Sequence, residues 1–139
     1  TEAIVIDVIV PVHSGLAATK RCLESVIGTR AETAFETVVV DDATPEPPIA
    51  RYLDELAGAR RITLLRNDRN EGFVRSVNRG MALHADRDVV LLNSDTLVAP
   101  GWLKELRAVA YGAPDIGTVT PLSNDATILR VVNGSLNPA

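Results

Sequence analysis

The residues of this 139-residue chain best suited to chemistry fall in short polar segments that follow apolar runs. Asp41-Asp42 sets two carboxylates side by side after Val38-Val39-Val40. Neighbours in extended backbone face opposite sides, so one carboxylate can meet a ligand while the other orders the following turn. Asn93 and Asp95 flank Ser94 and share a face, where a carboxamide oxygen and a carboxylate can turn toward one divalent cation. Magnesium tolerates so sparse a set because phosphate oxygens and water complete its shell. His13, within Pro11-Val12-His13-Ser14-Gly15, offers a ring that can stack on or hydrogen-bond to a flat ligand. Plainer alternatives stand beside each: an Asx turn closing a strand for the acidic segments, and an exposed loop residue for His13.

The segment Arg66-Asn67-Asp68-Arg69-Asn70-Glu71-Gly72-Phe73 is polar and ends where an apolar helical stripe begins. Gly72 permits close backbone approach there, and Asn70 is placed to cap the helix, as Ser14 is for an earlier one. Gly80 lies inside the same helical pattern, where glycine costs about 1 kcal/mol against alanine, so it marks tight packing. Neither G-x-G-x-x-G nor G-x-x-x-x-G-K-[ST] occurs, which disfavours a dinucleotide-binding dehydrogenase and a P-loop NTPase.

The elements that must position these groups are legible from hydrophobic pattern. Apolar runs at residues 8–12, 38–40, 62–65, 89–92 and 116–119 are rich in Val and Ile and nearly continuous, as in parallel strands buried on both faces. Between them lie helical stripes: Leu16, Leu23, Val26 and Ile27; Ile49, Tyr52, Leu53 and Leu56; Phe73, Val74, Val77 and Met81; Trp102, Leu103, Leu106, Val109 and Ala110, the last opened by Pro100. This alternation predicts one α/β domain, an open, doubly wound, mostly parallel sheet with helices on both faces. Ligands then bind beyond the carboxyl ends of the strands, where the polar segments sit.

Composition agrees. At 46% hydrophobic and 23% charged the chain suits one folded domain. With Lys+Arg 14 against Asp+Glu 18 and no basic half, it is unsuited to nucleic acid, and any phosphate must be held by a metal or by backbone amides. Cys22, the single cysteine, reads as a small core residue and fits a reducing compartment. No apolar run is long enough to span a membrane, and no leader pattern opens the sequence. Trp102 and Tyr111 read as helix packing, and His84 as a surface residue near a helix end.

In order along the chain, Ile9-Val10-Pro11-Val12-His13, Val39-Val40-Asp41-Asp42, Asn70-Glu71-Gly72-Phe73 with Asn78-Arg79-Gly80, and Leu91-Leu92-Asn93-Ser94-Asp95-Thr96 resemble the nucleotide-sugar-binding part of family 2 glycosyltransferases, which have the GT-A fold. Residues 121–128 are also similar to the segment after the fifth strand in members that build bacterial polysaccharides. The resemblance implies an inverting transferase that moves a sugar from a nucleoside diphosphate to a carbohydrate or lipid-linked acceptor, with Mg2+ or Mn2+. By position it implies that Pro11, His13, Asp42, Asn70, Gly72 and Asn93 line the nucleotide site, with Asp41 beside them, and that Asp95 holds the metal. Asn93 departs from the family's D-x-D motif, which leaves it to contact metal, ribose or sugar.

The same resemblance implies that residues 1–139 are one domain, the donor-binding part, and that the acceptor side with its catalytic base lies outside this chain. Asp125 reads as a loop residue, not the base. The expected behaviour is weak donor binding with little transfer, and the expected location is the cytoplasm or the inner face of a membrane. Rival readings are a non-catalytic nucleotide- or carbohydrate-binding module, a nucleotidylyltransferase, which would carry G-x-G-x-R after the first strand, and a receiver domain, whose acidic pair would follow the first strand. Here that position holds His13-Ser14.

Overall fold

Continuous runs of β-branched residues favour strands that bury both faces, and here they form the centre of the sheet. The computed structural model describes residues 5–28, 34–84, 86–99 and 101–104, together with the backbone of two short strands at 118–119 and 128–130. The elements are β1 (Ile6–Val12), α1 (Leu16–Ile27), β2 (Phe35–Asp41), α2 (Pro47–Gly58), β3 (Thr63–Arg66), α3 (Phe73–Leu83), β4 (Asp88–Leu91), β5 (Thr118–Val119) and β6 (Ile128–Arg130). The spatial order is β3-β2-β1-β4-β6-β5. β1 pairs in parallel with both β2 and β4, and β3 pairs in parallel with β2.

The far edge differs from the expected fifth parallel strand. β6, not foreseen in sequence, runs antiparallel to β4, and β5 pairs antiparallel with β6. An apolar run identifies a strand but not its neighbour, so the inserted partner had no local signal. The fourth helical stripe is described only through Trp102 and Leu103, both buried, and Lys104. Pro100, Leu106, Val109, Ala110, Tyr111, Asp125 and the segment 121–127 lie outside the described residues.

Alternate strand residues feed two cores. Val8, Val10, Val12, Val39, Val90 and Leu92 pack with Cys22, Leu23, Val26, Ile49 and Leu53 of α1 and α2. On the opposite face Ile9, Val38, Val40 and Val89 pack with Met81 of α3. Helices therefore cover both faces, as the alternation requires. Burial pushes the Cys22 thiol up to about 12, consistent with a core residue. Gly80 is where α3 meets the sheet: a Cβ there would lie 2.8 Å from Ile9 Cγ2 and 3.3 Å from Val40 Cγ2.

Other local expectations change. Gly15 (φ 86°) and Gly72 (φ 92°) occupy the N-cap positions of α1 and α3, and no side chain caps either helix, so Ser14 and Asn70 are not caps. Positive φ at the entry favours glycine over the usual capping residues. Phe73 and Val74, expected in the core, are exposed at 54% and 67%; the buried face of α3 runs through Ser76, Val77 and Gly80. His84 is no simple surface residue, because its Nδ1 lies 2.8 Å from Oδ2 of fully buried Asp7.

Candidate functional site

The chain winds from β1 outward to β2 and β3, then returns through α3 to β4 on the other side of β1. Connections after β1 and β4 therefore diverge, and a crevice opens between their carboxyl ends. A cavity of about 510 Å³ occupies that place, with walls that include Pro11, His13, Asp42, Phe73, Asn93 and Asp95. Backbone hydrogen bonds continue the ladders past the strand ends and fix these walls: Asp42 N–H donates to the Val12 carbonyl at 2.8 Å, and Leu92 N–H to the Ile9 carbonyl at 2.9 Å.

Asp41 and Asp42 divide as extended geometry demands. Asp41 turns to the α2 side, does not line the cavity, and is 1% exposed. Its Oδ2 accepts from Arg66 Nε at 2.8 Å and its Oδ1 from the Thr44 N–H at 2.9 Å. Arg66 also reaches Asp54 Oδ1 at 2.9 Å. These partners make Asp41 an anchor for the loop before α2.

Asp42 faces the cavity and is 5% exposed. Its Oδ1 accepts from the Glu71 N–H at 2.6 Å and from Asn67 Nδ2 at 2.9 Å, and its Oδ2 accepts from the Gly72 N–H at 2.9 Å. Burial works against the charge, but these donors outweigh it, with help from nearby His13, and hold the carboxyl below the usual aspartate range. All three hydrogen-bonding donors are neutral, so the negative charge survives at the cavity wall.

His13 closes over the same residue. Its Nδ1 lies 2.9 Å from the Asp42 carbonyl oxygen, which can only accept, so Nδ1 carries the proton in that bond. In the neutral ring Nε2 is then an acceptor, and Asn70 Nδ2 lies 3.3 Å from it. Asn70 thus reaches the site through His13, and Gly72 through its N–H to Asp42. Asn93 and Asp95 line the wall from the β4 side, with Asp95 exposed in the turn that follows Asn93. The Asn93 carbonyl, accepting from Thr96 N–H at 3.1 Å and Cys22 Sγ at 3.4 Å, pins that turn to α1.

The sequence reading missed Asn67, Ser76 and Phe73. Asn67 Nδ2 donates to both Asp42 and Ser76 Oγ, while its Oδ1 accepts from Arg79 at 2.7 Å. Its position directly after β3 was the available signal. Phe73 sits on the cavity wall, since the first turn of α3 lies at the strand ends.

Among the described residues no Lys or Arg lines this cavity, whereas Asp42 and Asp95 do. A diphosphate in it would call for a divalent cation, aided by N–H groups at the start of α1, where Ala18 forms part of the wall, although the Gly15 N–H there already donates to Glu46 Oε2 at 3.1 Å. Asn93 and Asp95 offer hard oxygen donors on one side, a set that would suit Mg2+ or Mn2+ with phosphate oxygens and water completing the shell. Another acidic group stands elsewhere. Asp7, Glu36 and His84 offer ligand atoms within 4.8 Å of one another, the one such His/carboxylate cluster among the described residues. It lies at the amino ends of the strands, roughly 16 Å from the cavity by strand rise. The Arg87 guanidinium already joins Asp7 at 2.9 Å and Glu36 at 3.0 Å, so cationic charge there comes from the protein itself.

A four-stranded parallel sheet flanked by helices, with a crevice at the β1/β4 divergence, is the α/β architecture of GT-A glycosyltransferases. The sequence profile of Glycosyl transferase family 2 matches residues 7–127, and the chain belongs to that family. It is 29% identical over 116 residues to the uncharacterized protein y4gI of Sinorhizobium fredii, covering 82% of this chain and 13% of that protein.

Among solved structures it is similar to S. aureus TarS, residues 1–349, in complex with UDP-GlcNAc, with TM-score 0.67, 21% identity, and coverage of 78% of this chain and 32% of that one. It is also similar to GalNAc-T7 with UDP, GalNAc and Mn2+, with TM-score 0.61, 24% identity, and coverage of 72% and 19%. The chain thus spans less than a third of the length of each of these proteins. No helix among the described residues is long and apolar enough to cross a membrane.

Proposed function

We infer that this chain is the donor-binding part of an inverting glycosyltransferase that holds a nucleoside diphosphate sugar with Mg2+ or Mn2+ and passes the sugar to a hydroxyl of a carbohydrate or lipid-linked acceptor, in bacterial polysaccharide or glycan synthesis. The observation that carries this reading is the shared cavity: Asp42 and His13 from one side and Asn93 and Asp95 from the other, with no Lys or Arg among the described residues that line it. Binding of UDP-GlcNAc by TarS and of UDP with Mn2+ by GalNAc-T7 supports a nucleotide-sugar donor and a divalent ion.

In this reading Pro11, His13 and Asp42 receive the nucleobase. Asp42 already accepts three N–H donors, which fixes its carboxylate and leaves acceptor capacity on Oδ2 for a ring N–H. Asn70 and Gly72 hold that wall in place, and Asp41 holds the loop behind it. Asn93 and Asp95 would hold the cation, which supplies charge neutralisation to a diphosphate leaving group. The first-turn N–H groups of α1 lie beside the same cavity and favour negative charge. The acceptor oxygen attacks the anomeric carbon, the bond from that carbon to the diphosphate oxygen breaks, and the hydroxyl proton passes to a carboxylate base. We assign that base to the acceptor side, outside the described residues, as the family resemblance implies.

The test is calorimetric titration of the chain with UDP, GDP and their sugar conjugates, with and without Mn2+. Saturable, metal-dependent heat for one nucleotide is expected, lost in Asp95→Asn. Metal-independent binding that survives both Asp42→Ala and Asp95→Asn would place the nucleotide elsewhere and favour a non-catalytic binding module.

A further inference from the structure

A second groove, of about 680 Å³, lies between the β3–α3 loop and the flank of α3, on the outer side of the segment whose inner side holds Asp42. Arg66, Arg69, Arg75 and Arg79 line it, against Asp68 and Glu71. Arg66 pairs with Asp41 and Asp54 outside the groove, so the lining sets the other three guanidiniums against two carboxylates, an excess of one positive charge in a chain whose formal net charge is −4.

The partners show where that excess sits. Arg66 is committed to Asp41 and Asp54. Arg69 and Arg75 share the single carboxylate of Glu71, at 3.5 Å and 3.3 Å, and their side chains are 85% and 76% exposed. Arg79 has no carboxylate within ion-pair distance among the described residues. Its Nη1 is held by two neutral acceptors, the Arg66 carbonyl and Asn67 Oδ1, each at 2.7 Å. Arg75 and Arg79 stand four apart on α3, where like charges repel. The structure therefore sets one guanidinium held by neutral acceptors beside two exposed ones that share a single carboxylate, around an open space.

We propose that this groove is an anion site for a phosphate group, separate from the donor cavity. A planar guanidinium pairs bidentately with phosphate oxygens, and a dianion with three terminal oxygens can engage Arg69, Arg75 and Arg79 together, whereas a carboxylate has only two. The volume leaves room for the rest of a phosphate ester. Asn67 ties the site to the donor cavity, because its Oδ1 holds Arg79 while its Nδ2 holds Asp42. The groove is built without Asp95 or Asn93, so the proposal does not rest on the donor reading.

The experiment is a titration of the isotope-labelled full chain with inorganic phosphate at constant ionic strength, followed by the Nε–H signals of Arg69, Arg75 and Arg79. Saturable shifts are expected, with affinity falling at least about fivefold in the Arg69→Glu/Arg75→Glu double variant and unchanged in Asp95→Asn. Because both replaced side chains are largely exposed, unfolding is separable by the backbone spectrum. A second arm uses phosphatidylglycerol vesicles, with phosphatidylcholine vesicles as reference. Sedimentation with the anionic vesicles alone, lost in the double variant, identifies a lipid headgroup as the phosphate source. Phosphate binding without sedimentation identifies a soluble phosphate ester. No saturation in either arm, or equal phosphate affinity in the double variant, overturns the site.

Discussion

Both ends of the parallel sheet bury aspartates, and Asp7 at one end and Asp42 at the other are held in different ways. At the amino end, Asp7 is fully buried and meets Arg87 and His84, with Glu36 joined through Arg87 and held by Thr63 Oγ1 at 2.6 Å. At the carboxyl end, Asp42 meets neutral N–H donors from Asn67, Glu71 and Gly72. A carboxylate paired with a cation has little field left for a ligand. One held by dipoles keeps its charge, and loops that leave the strand ends give it a cavity to face. Similar residues thus make a closed clamp at one end and an open site at the other.

Removing the clamp should have the largest effect on stability. Asp7→Ala leaves the Arg87 guanidinium with the partly exposed Glu36 as its remaining carboxylate among the described residues and is expected to cost about 3 kcal/mol in urea unfolding, without altering metal-dependent nucleotide affinity. Loss of nucleotide binding in the folded variant would show that the two ends are coupled after all.

Asp42→Ala comes next, at about 2 kcal/mol near neutral pH, since three N–H donors lose their acceptor. Its pH dependence has a definite sign. The folded-state pKa is depressed, so the unfolded chain binds the proton more readily and the carboxylate's stabilising contribution is fully present above about pH 3.9. That contribution disappears as pH falls through the lower folded-state value. Denaturation curves should therefore show a smaller gap between wild type and variant at pH 3 than at pH 6. An equal gap at both would mean that the charged form is not what the loop holds.

Gly72→Ala is expected to cost about 1–2 kcal/mol, because φ 92° and ψ 169° lie in a region suited to glycine. No atom lies within 4 Å of the added Cβ, so the loss is one of backbone strain and not of packing. Thermal unfolding with Gly58→Ala as the reference measures it; Gly58 is helical and its Cβ position is also open. Smallest is Asp95→Asn, an exposed turn residue, which should leave the unfolding midpoint where it is while reducing nucleotide affinity in Mn2+ to the metal-free level. A stability loss there would reveal a structural role for Asp95.

Much of the scaffold was legible because burial leaves a direct imprint on residue type. Runs such as Val38-Val39-Val40 favour strands covered on both faces, and Gly80 inside an apolar stripe marked the tight packing that the structure places against Ile9. The short edge was not legible: β6 is three residues long and its partner β4 lies far away in sequence. Helix entries were misread for a similar reason. Ser14 and Asn70 have the chemistry of caps, but the backbone places Gly15 and Gly72 at that point with positive φ, a choice made by the direction in which the chain leaves the strand.

By itself the amino-acid order determined the alternation of strands and helices and the clustering of polar groups after strands, because these depend on local pattern and composition. Only the tertiary structure decided that Asp41 turns to Arg66 while Asp42 turns to the cavity, that Asn67 joins the two sides of the β3–α3 segment, and that His84 and Arg87 close over Asp7. Those outcomes depend on which distant backbone donors and guanidiniums arrive within 3 Å, and a hydrogen-bond partner from another strand or loop leaves no trace in the neighbouring residues.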